Sequence, residues 1–277
     1  MSTHQDTVPR TDCTSDADGR ITFRLPGAPA GRPRLLLRLR PRKGHPEQTL
    51  RHLDLEPDAD GRPHAVLEPG TDLAEGRWDL YLLPEQGAGR QRLRPGLRDL
   101  RALVDGHLRH RSTPVAVRVP YVTKDGFLAL RAWLRTAHAE VHAVGLADGA
   151  ITVAARLHGA GLRQSATVRL RLRGTGTFRT VRPRIDGDGR GFSFTVGSGD
   201  LADPAPEAGR VWDAFVLPEA DARPVRIGRL LDDVADRKHV HVFPATTAGA
   251  SALRPYYTVD NDLAIEETPT ASPKCPE

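Results

Sequence analysis

Two phrases in this chain are near copies of each other. "GRWDLYLLPE" begins at Gly76 and "GRVWDAFVLPE" at Gly209. Aligning them on Trp78 and Trp212 brings further matches into step. Downstream, "PYVTKDGFLAL" from Pro120 answers "PYYTVDNDLAI" from Pro255 without a gap. Trp78 precedes Tyr121 by 43 positions and Trp212 precedes Tyr256 by 44. Upstream, "GRITFRLPG" from Gly19 matches "GAITVAARLHG" from Gly149, "RLLLRLRPR" matches "TVRLRLRG", and "LRPG" at 93–96 matches "VRIG" at 225–228. Landmarks in one order at nearly the same spacing imply a tandem duplication. The unit of about 130 residues is too long for a solenoid repeat and is the size of a domain with its own core.

Within each copy the apolar residues alternate. "ITFRL", "RLLLRLR", "HAVLE", "WDLYLL", "VAVRV" and "FLALRAW" read as short strands. So do "ITVAARL", "ATVRLRLR", "FSFTV", "WDAFVL", "VHVF" and "LAI" in the second half. Clusters of Gly, Pro and Asp such as "DADGRP" and "DGDGRG" separate them, because Gly takes positive φ and Asp closes side-chain turns. The expected fold class is all-β: two tandem antiparallel β-sandwich domains. Trp78 and Trp212 are expected at the centres of the two sandwiches. Tyr121 and Tyr256 are expected to bury their rings and hydrogen-bond through their hydroxyls. "DG" at 125–126 and "DN" at 260–261 are expected to turn the last hairpin of each copy, since Gly and Asn tolerate left-handed backbone. A short helix is expected in "PGLRDLRALVDGHL", with Leu97, Leu100, Leu103 and Val104 on one face. The boundaries are a disordered tail over 1–18, domain 1 over 19–131, domain 2 over 132–268 and a second tail over 269–277. "AWLRTAHAEVHAVGLADG" reads as the first strand of the second copy rather than a free linker.

Composition narrows the function classes. The start of the chain has no basic n-region or apolar core of a secretory signal, and no run of eighteen apolar residues occurs. These features predict a cytoplasmic protein. Cys13 and Cys275 lie in polar stretches at the two ends, and two cysteines supply no Cys-based zinc site. The net charge is +5, but of 40 basic residues only Lys43, Lys124, Lys238 and Lys274 are lysine. Such an arginine preference is what a GC-rich genome writes anywhere, so the charge is weak evidence for a nucleic-acid partner. Aromatics are 5% of the chain, few for stacking single-stranded bases.

No sequence pattern makes a case for catalysis. The chain lacks a nucleophile elbow, a phosphate-binding loop, a zinc-protease motif and a dinucleotide fingerprint. His138 and His142 flank Glu140, but the segment reads as a solvated strand face, where the two imidazoles sit too far apart to share a metal. His239 and His241 share one face of the expected strand "HVHVF", and His107 and His110 fall in a polar loop. Asp99, Asp232 and Asp233 read as surface acids. No catalytic residue, metal or cofactor is expected. The candidate binding residues are Arg38 and Arg40 in the first copy and Arg169, Arg171 and Arg173 in the second. Each set alternates with leucine, so its guanidiniums project from one sheet face, where they suit phosphate or carboxylate groups.

The phrases "WDLYLLPE…LRPG" and "RPYYTVDNDLAIE" resemble the C-terminal all-β accessory regions of actinobacterial glycosyltransferases and teichoic-acid-type polymer transferases. The resemblance covers both halves. It implies tandem immunoglobulin-like domains that serve oligomerisation or substrate placement beside a nucleotide-sugar-binding catalytic domain. This chain shows no such catalytic domain, and no family catalytic residue carries over. The reading is a non-catalytic interaction or scaffold protein, with a protein partner, for a glycosyltransferase or cell-envelope polymer pathway. Its alternatives are a protein that binds a glycan or anionic polymer on the arginine faces, and a transferase with an unrecognised site between the domains.

Overall fold

The structure is a computed structural model that describes residues 8–27, 31–41, 44–47, 49–84, 89–106, 114–201 and 208–270. His107, His110 and Cys275 lie outside the described residues. The chain divides into two compact units. One comprises Met1–Arg111, Ala116–Leu134 and Leu231–Ala235; the other comprises Ser112–Val115, Arg135–Leu230 and Asp236–Glu277. The described residues are almost wholly strand and turn. None of their helices is long and apolar enough to cross a membrane.

The first unit contains β1 (Arg10–Ser15), β2 (Ile21–Arg24), β3 (Arg34–Leu39), β4 (Leu50–Asp54), β5 (Glu56–Pro57), β6 (Pro63–Leu67), β7 (Gly76–Leu83), β8 (Gln91–Arg92), β9 (Arg94–Asp99), the single-turn α1 (Arg101–Val104), β10 (Val115–Val122) and β11 (Leu128–Arg135). One sheet runs β5-β6-β2-β1-β9 and the other β10-β11-β7-β3-β4, with β8 on β7. Alternation sends Ile21, Phe23, Ala65 and Leu67 of the first sheet, and Leu35, Leu37, Trp78, Leu80, Leu128 and Leu130 of the second, into one shared core.

The second unit contains β12 (His138–Ala147), β13 (Ala150–His158), β14 (Thr167–Leu172), β15 (Phe178–Val181), β16 (Arg184–Ile185), β17 (Gly191–Gly197), α2 (Ser198–Leu201), β18 (Arg210–Leu217), β19 (Val225–Gly228), β20 (Thr246–Ala248), β21 (Ser251–Tyr257) and β22 (Leu263–Pro269). Its strands run β16-β17-β13-β12-β19-β18-β22-β21-β20, and β15 joins through β14, which pairs with β18. Trp212 lies in a separate core with Val153, Leu170, Phe194, Val216 and Ile265.

The same strand order recurs in both units. The series β4-β3-β7-β11-β10 is answered by β15-β14-β18-β22-β21, and β9-β1-β2-β6-β5 by β19-β12-β13-β17-β16. Registers agree as well. Trp78 faces Leu39 on β3 and Leu130 on β11. Trp212 faces Leu172 on β14 and Ile265 on β22. The "LRPG" and "VRIG" segments switch between sheets. β19 pairs with β18 at Val225 and Arg226, then runs parallel to β12 at Ile227 and Gly228. β8 and β9 do the same against β7 and β1. At Gly228 a Cβ would stand 2.6 Å from the Asn261 carbonyl oxygen, so the backbone itself calls for glycine, while at Gly96 a Cβ would displace the Asp12 carboxylate, whose Oδ1 lies 2.0 Å away.

The paired Tyr-Thr turns form as expected. The Thr123 amide donates to the Phe127 carbonyl at 2.8 Å and the Thr258 amide to the Asp262 carbonyl at 2.8 Å. Gly126 has φ +77° and Asn261 φ +60°.

Other expectations are corrected. Arg10–Ser15 is not tail but strand β1, antiparallel to β2 and parallel to β9. Its inward residues are Thr11, Cys13 and Ser15, all buried. Their small polar side chains hid the alternation. The strand expected at "HVHVF" is turn and irregular chain, with His239, Val240 and Val242 exposed. The short helix is the single turn α1, but its expected apolar face does not form, since Leu97 and Val104 point to solvent while Leu103 is buried.

Candidate functional site

On β3, Leu35 and Leu37 face the core, so Arg38 takes the outer face of the sheet. Asp79 follows the inward Trp78 and therefore lies on that outer face, beside Arg38 in register. Arg40 donates to Asp79 Oδ1 through Nε at 2.9 Å and NH2 at 2.7 Å. Arg92 NH2 reaches the same oxygen at 3.2 Å. The hydrogen bonds it donates to Asp79 hold the Arg40 guanidinium more firmly charged than usual. Arg38 donates to Glu47 at 2.6 Å and to the Tyr81 hydroxyl at 3.3 Å. Arg90 grips both oxygens of Glu47, at 2.8 and 3.2 Å, and lies 5.0 Å from the centre of the Tyr81 ring. Hydrogen bonds from Arg90 and Arg38 keep the Glu47 carboxyl below its usual range. Leu36 and Tyr81 are buried on this face. The two candidate arginines of the first unit are thus committed to carboxylates and half-buried.

The equivalent face of the second unit is built alike and finished differently. Val168 and Leu170 of β14 enter the core, which sends Arg169, Arg171 and Arg173 outward. Asp213 follows the inward Trp212 and takes the place of Asp79. Arg173 donates to both its oxygens, NH2 to Oδ1 at 2.5 Å and Nε to Oδ2 at 3.3 Å. It also donates to the Tyr256 hydroxyl at 3.3 Å. The Asp213 bond raises its pKa further. Arg171 lies 3.9 Å from Asp213, beyond hydrogen-bonding range, and its guanidinium sits 4.9 Å from the Phe215 ring centre. Arg169 sits 4.5 Å from the Phe178 ring centre, and its buried Nε donates no hydrogen bond among the described residues. In register, Arg169 opposes Phe215 and Arg171 opposes Phe178, so each guanidinium stacks on the ring diagonal to it. Side-chain exposure is 54% for Arg171 and 47% for Arg173, and Phe178 is 50% exposed.

The tyrosines differ from expectation in two respects, the first being that Tyr121 and Tyr256 are half-buried rather than buried. Tyr256 Oη accepts from Arg173, but Tyr121 Oη is buried without a hydrogen-bond partner among the described residues. Burial raises the Tyr121 phenol above its ordinary pKa. The aromatic partners Phe178 and Phe215 were missed by sequence reasoning. Phe215 was within reach of it, since it stands two residues after Asp213 and so on the same face.

The remaining sequence candidates do not join the arginine faces. His138 is not on a solvated face. It is fully buried, with Nε2 2.9 Å from Glu140 Oε2 and Nδ1 3.4 Å from Arg135 NH1. The amide of Leu230 donates to the same Glu140 oxygen at 2.7 Å. Arg135 also donates to Asp262 at 2.8 Å, and Arg226 pairs with Asp262. Because arginine only donates, this geometry fits the imidazole tautomer with its proton on Nε2. His142 is exposed, separated from His138 and Glu140 by a bulge at Val141–Ala143. His241 packs edge-on to Tyr257 with ring centres 5.9 Å apart. Asp99 is held by Arg101 at 2.7 Å, and Asp232 is buried rather than solvated, accepting from the Val234 amide at 3.0 Å. Among the described residues no three His, Cys, Asp or Glu side chains converge as metal ligands.

No family model and no curated protein matches the chain. Among solved structures, the crystal structure of S. aureus TarS is similar at a TM-score of 0.38 and 13% identity, over 72% of this chain and 29% of that one. The structure of its 217–571 portion is similar at 0.38 and 13%, over 73% of this chain and 46% of that one. This chain therefore spans less than half the length of either of these structures. At that TM-score the likeness transfers neither fold nor role.

Proposed function

We propose that this protein is a non-catalytic interaction or scaffold protein, made of two immunoglobulin-like β-sandwich domains descended from one duplicated module. It serves a glycosyltransferase or cell-envelope polymer pathway in the cytoplasm. The observation that carries the reading is that Trp78 and Trp212 stand at the same register position in the same strand order, each in its own core. The conserved order extends to the outer face, where Arg40–Asp79 and Arg173–Asp213 repeat. What the two units share is thus a way of building a sheet. The pathway rests on the resemblance of the Trp-Asp and Pro-Tyr phrases. The test is incubation of the pure protein with nucleotide-sugar donors, together with affinity capture of transferases from the source cell. The expected result is no donor turnover and recovery of a transferase. Donor turnover by the pure protein overturns the reading.

A second reading, binding of an anionic polymer, is favoured by one observation. In the second unit, unlike the first, two of the candidate arginines are exposed or lack a hydrogen-bonded carboxylate.

A further inference from the structure

We propose that β15 is a docking edge to which an acidic, extended segment of a protein partner adds as a further strand, an inference that rests on the interaction-protein reading above and names its surface and the chemistry of its partner.

β15 pairs with β14 alone, so its far side is a sheet edge. The Leu172 amide donates to the Thr177 carbonyl at 2.9 Å, which makes Leu172 and Thr177 a hydrogen-bonded pair. Bonded and non-bonded pairs alternate along an antiparallel ladder. Leu170–Arg179 and Val168–Val181 are therefore bonded pairs, and Arg171–Phe178 and Arg169–Thr180 are not. The backbone N–H and C=O groups of Phe178 and Thr180 consequently face away from β14. Among the described residues these groups have one partner, a 3.5 Å contact from Arg179 NH1 to the Phe178 carbonyl. Both residues are exposed. The edge thus presents two donors and two acceptors at the spacing that an added strand requires.

Charge selects the partner, and the first unit serves as an internal comparison. Its edge strand is β4, which leads into β5 as β15 leads into β16. Leu50 stands opposite Arg38 as Phe178 stands opposite Arg171. Counting on from there, Arg51 answers Arg179, His52 answers Thr180, Asp54 answers Arg182 and Glu56 answers Arg184. The first edge therefore sets two acids against one arginine. The second has three arginines and no acid. Arg182 and Arg184 are exposed, and neither they nor Arg179 meets a carboxylate among the described residues. Because the first unit builds the same strand with acids at two of these positions, the fold does not dictate arginines there.

The same arginines argue against a second copy of this chain as the occupant. Pairing β15 with β15 of another copy would bring like charges together along the seam, which is destabilising. An acidic strand meets attraction at the same positions, on the rim of the contact, where charge chooses between partners and speeds their encounter. Phe178 supplies an apolar contact beside the charges. It shares the outer face with Arg171, and at 50% exposure its ring is open to a side chain of the added strand.

Fluorescence anisotropy of labelled peptides with the full chain tests this. The probes are a short peptide of alternating glutamate and threonine, the same peptide with its amides N-methylated, and a lysine–threonine counterpart. The expected result is that the glutamate peptide binds and the other two bind at least about tenfold more weakly. Arg182→Asp with Arg184→Glu, which installs the first unit's residues, should weaken binding about tenfold with an unchanged melting temperature. Thr180→Pro removes an outward N–H and no bond to β14, and should abolish binding. No binding of the glutamate peptide overturns the proposal, as does an affinity within about twofold of wild type in either variant. So does equal binding of the N-methylated peptide, which would mean charge without strand pairing, or of the lysine peptide, which would mean pairing without charge preference. A dimer of the chain itself in sedimentation, dissolved by Thr180→Pro, would give the edge to a second copy and overturn it as well. Failure here leaves the non-catalytic reading standing, because that reading falls only on donor turnover.

Discussion

The indole N–H of Trp212 donates to Glu267 Oε2 at 2.9 Å, and Glu267 has no exposure to solvent. Trp78, its counterpart, donates instead to the Ala74 carbonyl at 3.1 Å. The two cores bury the same ring and satisfy its one polar atom by different means. Ser251 Oγ donates to the other oxygen of Glu267 at 3.3 Å, and Arg210 Nε lies 3.5 Å from the first. Removing this carboxylate strands a buried indole N–H and takes an acidic neighbour from Arg210. Glu267→Ala is expected to lower the unfolding free energy by about 3 kcal/mol, measured by urea denaturation. Glu267→Gln, which keeps an acceptor, should cost clearly less. Equal losses would mean that volume, not the polar network, is what matters at this position.

Cys13 is the buried centre of β1, and burial pushes its thiol up to about 12, against the pull of Arg98. The thiolate is the reactive form. In a Cys275→Ser background, Cys13 should resist alkylation at pH 8 in the native protein and react fully in urea. Native-state labelling at the rate of a free thiol would show that β1 opens without global unfolding.

His158 is held below its ordinary pKa, chiefly by burial and then by the neighbouring His138 and the guanidiniums of Arg156 and Arg190, with Glu140 opposing. The unfolded chain therefore takes up this proton first as pH falls. Stability contributed by the neutral imidazole is present above about pH 6.5 and is lost as pH falls from there toward the folded value. Urea unfolding at pH 8 and pH 5.5 should show a drop for the wild type, and a smaller drop for His158→Gln. Identical drops would remove His158 from the account.

Asn261 does two things in its turn. It adopts φ +60°, and its Oδ1 accepts the buried Arg237 amide at 3.0 Å. Gly126 supplies the same conformation, φ +77°, with no side chain. Asn261→Gly keeps the backbone and loses the acceptor, so it should cost about 1–2 kcal/mol. Asn261→Ala loses both and should cost more by about 1 kcal/mol. At Gly126 the order reverses: a Cβ would meet only Arg94 NH1, at 3.4 Å, and Gly126→Asn should be nearly neutral while Gly126→Val is destabilising. Thermal denaturation of the four variants gives the ranking, and an Asn261→Gly protein as stable as wild type would discount the Arg237 bond.

Much of the fold was legible because the signal is local and stated twice. "WDLYLL" and "WDAFVL" each place an inward Trp and an outward Asp by period two, and no long-range information is needed to read it. β1 was not legible, since Thr11, Cys13 and Ser15 are small and polar and do not mark a buried face; Thr11 Oγ1 is satisfied across the sheet by the Arg24 carbonyl at 2.9 Å, and Ser15 Oγ is buried with no hydrogen-bond partner among the described residues. "HVHVF" alternates as well as any true strand, but none of the described strands pairs with it. The arginine candidates were correctly set outward, yet their neutralisation was not readable: Arg38 meets Glu47 nine residues away, and Arg173 meets Asp213 forty residues away.

The sequence by itself determined which residues alternate, where left-handed turns fall, and that one strand pattern is written twice, because period, turn chemistry and repetition are carried by neighbouring residues. The tertiary structure alone decided which arginines are consumed and which stay open. That outcome depends on the acid or aromatic ring that a different strand brings alongside, and two faces with the same alternation, Leu36 and Arg38 against Arg169 and Arg171, were finished in opposite ways.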